Sequence, residues 1–217
     1  MAHLTREFRG LRPERIRQNL ERIRDQIVAA GRDPFEVEIL AATKYVSVDE
    51  LPALLEGGVT LVGENRAQDL LAKRERHAGD FTWDFIGALQ SRKVRDVAPN
   101  VRLIHSLASE SAMRQLERYP VGETLIEVNL AGEESKAGID PADLPRYLEE
   151  CPVPVTGLMC MPPFVERAED NRRYFAQLRE LAAEHGLERL SMGTSQDYLV
   201  AVQEGATIVR LGTVLYE

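Results

Sequence analysis

Residues 37–44 read VEILAATK, a short apolar stretch that ends at Thr43 and Lys44. A stretch of this length, with β-branched residues and polar boundaries, is typical of a buried β-strand. Seven comparable stretches follow it, and helical patterns separate them. The eight predicted strands are Val37–Thr43, Leu61–Glu64, Phe85–Leu89, Leu103–Leu107, Leu125–Leu130, Val155–Met161, Leu190–Gly193 and Ile208–Leu211.

The alternation of strands with helical patterns indicates the fold class. Strands separated by helices pair in parallel through right-handed crossovers, and eight such strands suit a closed barrel. An open doubly wound sheet is the alternative, but no G-x-G-x-x-G motif follows the first strand. We therefore predict an α/β protein in which residues 1–217 form a single (β/α)8 TIM-barrel domain.

An amphipathic helix is predicted before the first strand, at about residues 13–30. Pro13 suits its first turn, Ile16 and Leu20 begin an apolar stripe at helical spacing, and Gly31 follows its end. Because the chain ends soon after the eighth strand, we predict no helix there. The N-terminal helix is expected to pack in that position, between strands eight and one.

A second helix is predicted after the first strand. Ser47 and Glu50 form the S-x-x-E pattern of a capping box, in which each side chain bonds the backbone N–H of the other residue. Gly57 and Gly58 mark the end of this helix.

The composition disfavours several classes of protein. A net charge of −8 argues against a general role in binding nucleic acids or anionic membranes. No apolar run approaches the roughly 20 residues of a membrane helix, and the first residues lack the apolar segment of a secretory signal. Cys151 and Cys160 form no CxxC pair, so we predict reduced thiols in a cytoplasmic protein.

Side chains at the carboxyl ends of the strands are candidates for a functional site, because barrels of this kind hold their active sites there. Lys44 ends the first strand, where burial among apolar neighbours would lower its pKa and free the amine to attack a carbonyl group. A solvated lysine at a strand end is the alternative. Asn65 follows the second strand and offers an amide to a bound ring or hydroxyl, unless it only begins a helix.

Two glycine-containing turns follow the seventh and eighth strands, where barrels commonly bind phosphate. They span residues 193–195 (GTS) and 210–213 (RLGT). Glycine lets backbone N–H groups approach phosphate oxygens, although ordinary turn chemistry would also explain both. Lys136, after the fifth strand, is a second cation that either faces this end of the barrel or lies in a solvated loop.

Other catalytic patterns are missing from the sequence. The four histidines, among them His3 and His105, show no metal-ligand spacing, so no metal site is predicted. His105 falls within the fourth strand as a core or rim residue. There is no G-x-S-x-G nucleophile turn and no Walker A loop.

Seven stretches, in order along nearly the whole chain, match a known family. They are LAATK (40–44), VGENRAQD (62–69), WDFIGALQSRK (83–93), ESKAGI (134–139), GLMCM (157–161), LSMGTSQD (190–197) and VRLGT (209–213). With these motifs the chain resembles the pyridoxal phosphate homeostasis proteins, whose barrel is similar to the N-terminal domain of alanine racemase. The resemblance implies pyridoxal 5′-phosphate (PLP) as the cofactor.

The resemblance also implies roles for seven residues. They are Lys44, in Schiff-base linkage to PLP; Asn65, beside the cofactor ring; Met159, lining the pocket; Ser195, Gly212 and Thr213, around the phosphate; and Arg210, near the pyridine nitrogen. An arginine has only hydrogen-bond donors, so it should keep the ring nitrogen unprotonated and make the cofactor a poorer electron sink.

Several positions depart from the family pattern, Thr43 in place of a serine among them. Where the family reads S-K-T-K, this chain has Tyr45 and Val46 after Lys44, so the second lysine is missing. Thr194 replaces a methionine, and Gln196 replaces an acidic residue. These changes retain the Schiff-base lysine but bear on how the cofactor enters and leaves.

Two functions are compatible with these features. The first is a monomeric PLP-binding protein of vitamin B6 homeostasis, which buffers PLP or delivers it to apo-enzymes without robust catalysis of its own. It is favoured because alanine racemases take a tyrosine base from a second domain, and no length remains for one after the eighth strand. The alternative is a PLP-dependent enzyme with weak amino-acid racemase activity, using Tyr45, Tyr198 or Tyr216 as the base.

Overall fold

The computed structural model describes residues 7–132 and 137–217. Its strands are β1 (Glu38–Ala42), β2 (Leu61–Glu64), β3 (Thr82–Phe85), β4 (Leu103–Leu107), β5 (Glu123–Glu127), β6 (Val155–Met159), β7 (Arg189–Thr194) and β8 (Ile208–Leu211). Its α-helices are α1 (Pro13–Ala29), α2 (Leu51–Glu56), α3 (Ala67–His77), α4 (Val94–Val97), α5 (Glu110–Arg118), α6 (Leu144–Glu150), α7 (Arg172–Glu184), α8 (Tyr198–Gln203) and α9 (Thr213–Tyr216).

The eight strands form a closed parallel barrel. Each strand pairs with the next along the chain, and β8 returns to pair with β1. In this closing pair, Leu40 lies opposite Arg210. The prediction of a (β/α)8 barrel is confirmed, and β2, β4 and β8 have the bounds predicted from the sequence.

The prediction for the third strand is wrong. The strand covers Thr82–Phe85, whereas the apolar pattern pointed to Phe85–Leu89. The cause is Asp84, which is fully buried and accepts a hydrogen bond from Arg102 at 2.7 Å. A buried carboxylate interrupts the apolar run by which a buried strand is recognised in a sequence.

The barrel interior combines an apolar cluster with a polar network. The apolar members, from five strands and the loop after β3, are Leu40, Ile86, Leu103, Leu125, Met159 and Ile208. The buried polar side chains that hydrogen-bond to one another across β3, β4, β7 and β8 are Asp84, His105, Ser191 and Arg210. A larger apolar cluster packs the helices against the outside of the barrel.

The N-terminal helix predicted from the sequence is present as α1, and it contacts α2, α8 and α9. The expectation that no helix follows the eighth strand is wrong, because α9 forms one turn there. Two side chains of α1 donate hydrogen bonds to α9 carbonyls: Asn19 Nδ2 to Leu215 O at 3.0 Å and Arg22 Nη2 to Val214 O at 3.2 Å. These bonds satisfy carbonyl groups that a one-turn helix leaves free.

The capping box predicted at Ser47 and Glu50 does not form. Ser47 makes no capping hydrogen bond. The Glu50 carboxylate instead accepts hydrogen bonds from the backbone N–H groups of Gly10 at 2.7 Å and Leu11 at 2.8 Å. Glu50 thus fixes the segment that leads into α1, a long-range role that local spacing does not reveal.

We predict that Gly157→Ala destabilises the barrel strongly. A Cβ atom at Gly157 would lie 1.9 Å from the backbone oxygen of Arg189 in β7, so the strands would have to separate. The free energy of unfolding should fall by about 3 kcal/mol or more. Gly79→Ala is the control, since its Cβ would meet nothing within 4 Å. Urea denaturation of both variants would contradict this account if their midpoints were equal.

Candidate functional site

A cavity of about 690 Å³ opens at the carboxyl ends of the strands, and we call it the mouth cavity. Six of the seven residues assigned by resemblance line it: Lys44, Asn65, Ser195, Arg210, Gly212 and Thr213. They come from positions at or just after β1, β2, β7 and β8, which the closed barrel brings to one face.

The seventh residue, Met159, is not among the residues that line the mouth cavity. Met159 is buried in the barrel interior and packs in the same apolar cluster as Ile86, which does line the cavity. Met161 is the methionine in the lining. Because β6 ends at Met159, a residue two positions further along lies at the mouth rather than inside the barrel.

The side chain of Lys44 is exposed, so the expected burial among apolar neighbours is wrong. Side chains alternate along an extended strand, and the fully buried position is taken by Thr43. Lys44 Nζ lies 4.8 Å from the centre of the Tyr45 ring. Both residues also line a second cleft of about 700 Å³, so Lys44 stands between two openings.

A buried ion pair fixes the backbone directly before Lys44. Lys73 Nζ donates a hydrogen bond to the Thr43 carbonyl at 2.7 Å and forms an ion pair with Glu64. The Thr43 hydroxyl donates to the same Glu64 carboxylate at 2.5 Å. The sequence analysis missed this pair, although a lysine and a glutamate nine positions apart on β2 and α3 were its visible signal.

The turns after β7 and β8 meet at the hydroxyl of Ser195. Ser195 Oγ accepts hydrogen bonds from the backbone N–H groups of Gly212 at 3.0 Å and Val214 at 3.4 Å. Buried Asp197 holds the first turn by accepting from the Thr194 N–H at 2.7 Å and from its hydroxyl at 2.9 Å. Two backbone N–H groups therefore converge on one oxygen, that of the Ser195 hydroxyl.

Arg22 is a lining residue that sequence reasoning missed. It belongs to α1, and its Nη2 donates to Asn19 Oδ1 at 3.0 Å as well as to the Val214 carbonyl. This places a cation beside the turn after β8. The only sequence signal was the pairing of Asn19 and Arg22 three positions apart on one helix face.

Arg210 is buried, and both of its terminal nitrogens are hydrogen-bonded, Nη2 also lying 3.9 Å from Met161 Sδ. Nη1 donates to Ser191 O at 2.7 Å and to Ser191 Oγ at 2.6 Å, and Nη2 donates to Cys160 O at 2.9 Å. Its Nε is buried and has no hydrogen-bond partner among residues 7–132 and 137–217, and the same holds for Oδ1 of Asn65. Both side chains line the mouth cavity, so each of these two lining residues has one buried polar atom without a partner among the described residues.

His105 and Asp84 continue this polar network below Arg210. His105 Nδ1 lies 2.8 Å from Ser191 Oγ, and Nε2 lies 3.1 Å from Asp84 Oδ2. Complete burial lowers the pKa of His105, and the cations Arg210 and Arg102 act in the same direction. Burial would raise the pKa of Asp84, but hydrogen bonds from His105 and Arg102 outweigh it and keep the carboxyl ionised.

Two of the three tyrosines considered as bases are engaged in structural hydrogen bonds. Tyr198 donates to Gln26 of α1, and Tyr216 donates to the Ala42 carbonyl at 3.2 Å. Burial raises the pKa of both phenols. Tyr45 is the one of the three that lines the mouth cavity.

Several expectations concern sites other than the mouth cavity. Lys136 and His3 lie outside the described residues. Within the described ranges, no cluster of His, Cys, Asp and Glu could bind a metal ion, and no helix combines the length and apolar character needed to span a membrane. Cys151 and Cys160 are both free thiols, and burial raises the pKa of Cys160 to about 12.

Comparison with known proteins identifies the family. The chain is 42% identical over 219 residues to the pyridoxal phosphate homeostasis protein of Aquifex aeolicus, and the match covers 94% of this chain and 96% of that protein. The chain belongs to the pyridoxal phosphate homeostasis family. No family model matches the chain.

Two solved structures extend this assignment. PipY of Synechococcus elongatus, solved with PLP bound, is a structural neighbour of this homeostasis-family member, with a TM-score of 0.80 and 32% identity over 93% of this chain and all of that one. Alanine racemase of Corynebacterium glutamicum has a TM-score of 0.69 at 14% identity, over 95% of this chain and 61% of that one. The second match concerns the barrel fold alone.

The buried neutral His105 should make stability depend on pH. Below the unfolded-state pKa of about 6.5, the unfolded chain binds a proton that the folded chain excludes until its lower pKa is reached. The free energy of unfolding should therefore fall as the pH drops below about 6.5, by up to ~1.4 kcal/mol per pH unit from this group.

Urea denaturation between pH 7 and pH 5 measures this slope. We expect it to be shallower in His105→Gln, and His185→Gln serves as the comparison for a histidine outside the barrel. An identical slope in the wild-type protein and His105→Gln would contradict the assignment of His105 as a buried neutral imidazole.

Proposed function

We propose that this protein binds PLP in the mouth cavity, with Lys44 holding it as a Schiff base, and that it serves PLP homeostasis. The observation that carries the proposal is the composition of this one cavity. It is lined by an accessible amine (Lys44), a pair of converging turns (Ser195 and Gly212) and a buried guanidinium (Arg210). The names of its relatives and the PLP-bound PipY structure support the same cofactor.

Ser195, Gly212 and Thr213 are the proposed phosphate-binding residues. Two backbone N–H groups already converge on Ser195 Oγ, and such donors suit phosphate oxygens. A Cβ at Gly212 would meet only the Ala42 carbonyl oxygen, at 3.9 Å, so packing does not require glycine there. We take the glycine to leave room for the phosphate, and Arg22 to add positive charge beside it.

Arg210 and Asn65 are the proposed partners of the cofactor ring. The buried Arg210 Nε lacks an acceptor and the buried Asn65 Oδ1 lacks a donor, so a ring with polar groups at its edge fits both needs. When bound, PLP supplies an aldehyde that combines reversibly with amines and a pyridine ring that withdraws electrons when protonated. Arg210 cannot give up a proton at ordinary pH, so it holds the ring nitrogen as an acceptor and disfavours strong electron withdrawal.

The exposure of Lys44 is compatible with reversible binding of PLP. Its neutral amine adds to the aldehyde carbon and one water leaves, and the reverse step returns free PLP and the amine. An exposed linkage can be reached by water or by an incoming amine, so Lys44 can release what it holds. We therefore propose a protein that buffers PLP and delivers it to apo-enzymes, without robust catalysis of its own.

The proposal further treats the protein as a cytoplasmic monomer whose partners are PLP and the recipient apo-enzymes, and not nucleic acids or membranes. Sedimentation of the PLP-loaded protein should give the mass of a single chain. A stable dimer would contradict the proposed monomeric state but would not bear on the proposed PLP site.

A weak amino-acid racemase is the second candidate function. It is favoured by the position of Tyr45, which lines the mouth cavity beside Lys44 and carries a hydroxyl that could move a proton. Exchange of the α-proton of alanine in deuterated water distinguishes the candidates. We expect exchange, if measurable, to be slow and to change little in Tyr45→Phe. Rapid exchange that Tyr45→Phe abolishes would favour the racemase.

The decisive prediction concerns covalent trapping of the cofactor. After loading with PLP and desalting, the protein should show a visible absorption band that borohydride removes, and peptide mapping should find the reduced pyridoxyl group on Lys44. Lys44→Arg keeps the positive charge but cannot form the linkage, so it should lose the band. Lys93→Arg is the control and should keep it. Labels scattered over surface lysines would refute the site.

A further inference from the structure

The orientation of Arg210 is determined by the residue below it. Arginine has only donors, so Ser191 Oγ, at 2.6 Å from Arg210 Nη1, must accept that hydrogen bond. The Ser191 hydroxyl proton is then directed elsewhere. Its one other polar neighbour within hydrogen-bond distance among the described side chains is His105 Nδ1, at 2.8 Å.

This geometry selects one form of His105. If Ser191 donates to Nδ1, then Nδ1 is unprotonated and Nε2 carries the proton of the neutral imidazole. Nε2 accordingly donates to Asp84 Oδ2 at 3.1 Å. Protonating Nδ1 as well would add a cation to a fully buried site that already has Arg210 above it and Arg102 below.

Asp84 is held in turn from the far end of the barrel. Arg102 donates from Nε to Asp84 Oδ1 at 3.0 Å and from Nη2 to Oδ2 at 2.7 Å. A carboxylate with both oxygens bonded to an arginine cannot rotate freely. Each hydrogen bond between Arg102 and Arg210 therefore has a fixed donor, and the bonds from both arginines run toward Asp84.

We propose that His105, acting through Ser191, is a positioning residue that holds Arg210 with its Nε free for the cofactor ring nitrogen. This inference rests on the proposed function. Because His105 accepts the Ser191 hydroxyl proton, the Ser191 oxygen is free to accept a hydrogen bond from Arg210 Nη1. The guanidinium held in this way donates from Nη2 to the Cys160 carbonyl. Nε is then the remaining unused donor of Arg210 in the described structure. His105 does not touch the reacting atoms.

The test uses Ser191→Ala, which removes the link and little volume, and His105→Gln, which removes the acceptor at Nδ1. Thr124→Val is the control, because the buried Thr124 hydroxyl bonds only to backbone oxygens, those of Ile104 and Leu125. For each PLP-loaded protein we would record the visible absorption maximum and the rate of PLP release to a trapping amine. Thermal melting establishes that each variant folds.

We expect both test variants to move the absorption maximum and to release PLP roughly tenfold faster, as loss of a charge-assisted hydrogen bond implies. Thr124→Val should change neither. In a double-mutant cycle, Ser191→Ala should add nothing to Arg210→Gln, because Ser191 acts only through Arg210.

Two results would overturn the positioning role. One is a folded Ser191→Ala protein whose spectrum and release rate match those of the wild-type protein. The other is a cycle in which the effects of Ser191→Ala and Arg210→Gln multiply. Failure of the proposed function looks different, since the wild-type protein would then bind no PLP that depends on Lys44.

Discussion

A permanent positive charge inside the barrel, that of Arg210, is the constraint on which the rest of the site depends. A buried guanidinium is tolerated only if its donors find acceptors. Two of its nitrogens are satisfied by Ser191 and by the Cys160 carbonyl. Ser191 is hydrogen-bonded in turn to His105, His105 to Asp84, and Asp84 to Arg102. The interior of the barrel therefore contains this series of hydrogen-bonded side chains, the polar column, beside an apolar cluster. The one nitrogen left over, Nε, belongs to a side chain that lines the mouth cavity.

The segments that flank the barrel complete the mouth. Phe8 donates its N–H to the Tyr45 carbonyl at 2.8 Å, and its ring meets the Tyr216 ring edge-on at 4.8 Å between centres. Helix α1 bonds the carbonyls of α9, and Glu50 holds the residues before α1. The surroundings of Lys44 are therefore assembled from both ends of the described chain. Changes far from Lys44 in sequence can alter its access to solvent.

Strand bounds could be predicted from the sequence where apolar burial alone sets them. They could not be predicted where a strand also contributes a polar side chain to the barrel interior. The apolar runs Leu103–Leu107 and Ile208–Leu211 gave strand bounds correctly, because burial alone sets them. The third strand was misplaced because it contains Asp84, a buried carboxylate that belongs to the polar column. Apolar periodicity does not reveal a strand that buries a charged side chain. Six site residues were singled out by their places at strand ends and given roles by motif resemblance. The exposure of Lys44 and the depth of Met159 depend on which way side chains alternate at a strand end. Arg22 and Glu50 act across long sequence separations, where local spacing carries no signal.

The central claim is that Lys44 and Arg210 bind the two ends of one PLP ring in the mouth cavity. A crystal structure of the protein grown with PLP tests it most directly. The account predicts continuous density from Lys44 Nζ to the cofactor, the pyridine nitrogen within hydrogen-bond distance of Arg210 Nε, and the phosphate at Ser195 and Gly212. Density for PLP in the neighbouring cleft lined by Arg66 and Lys73, or a ring nitrogen turned away from Arg210, would contradict it.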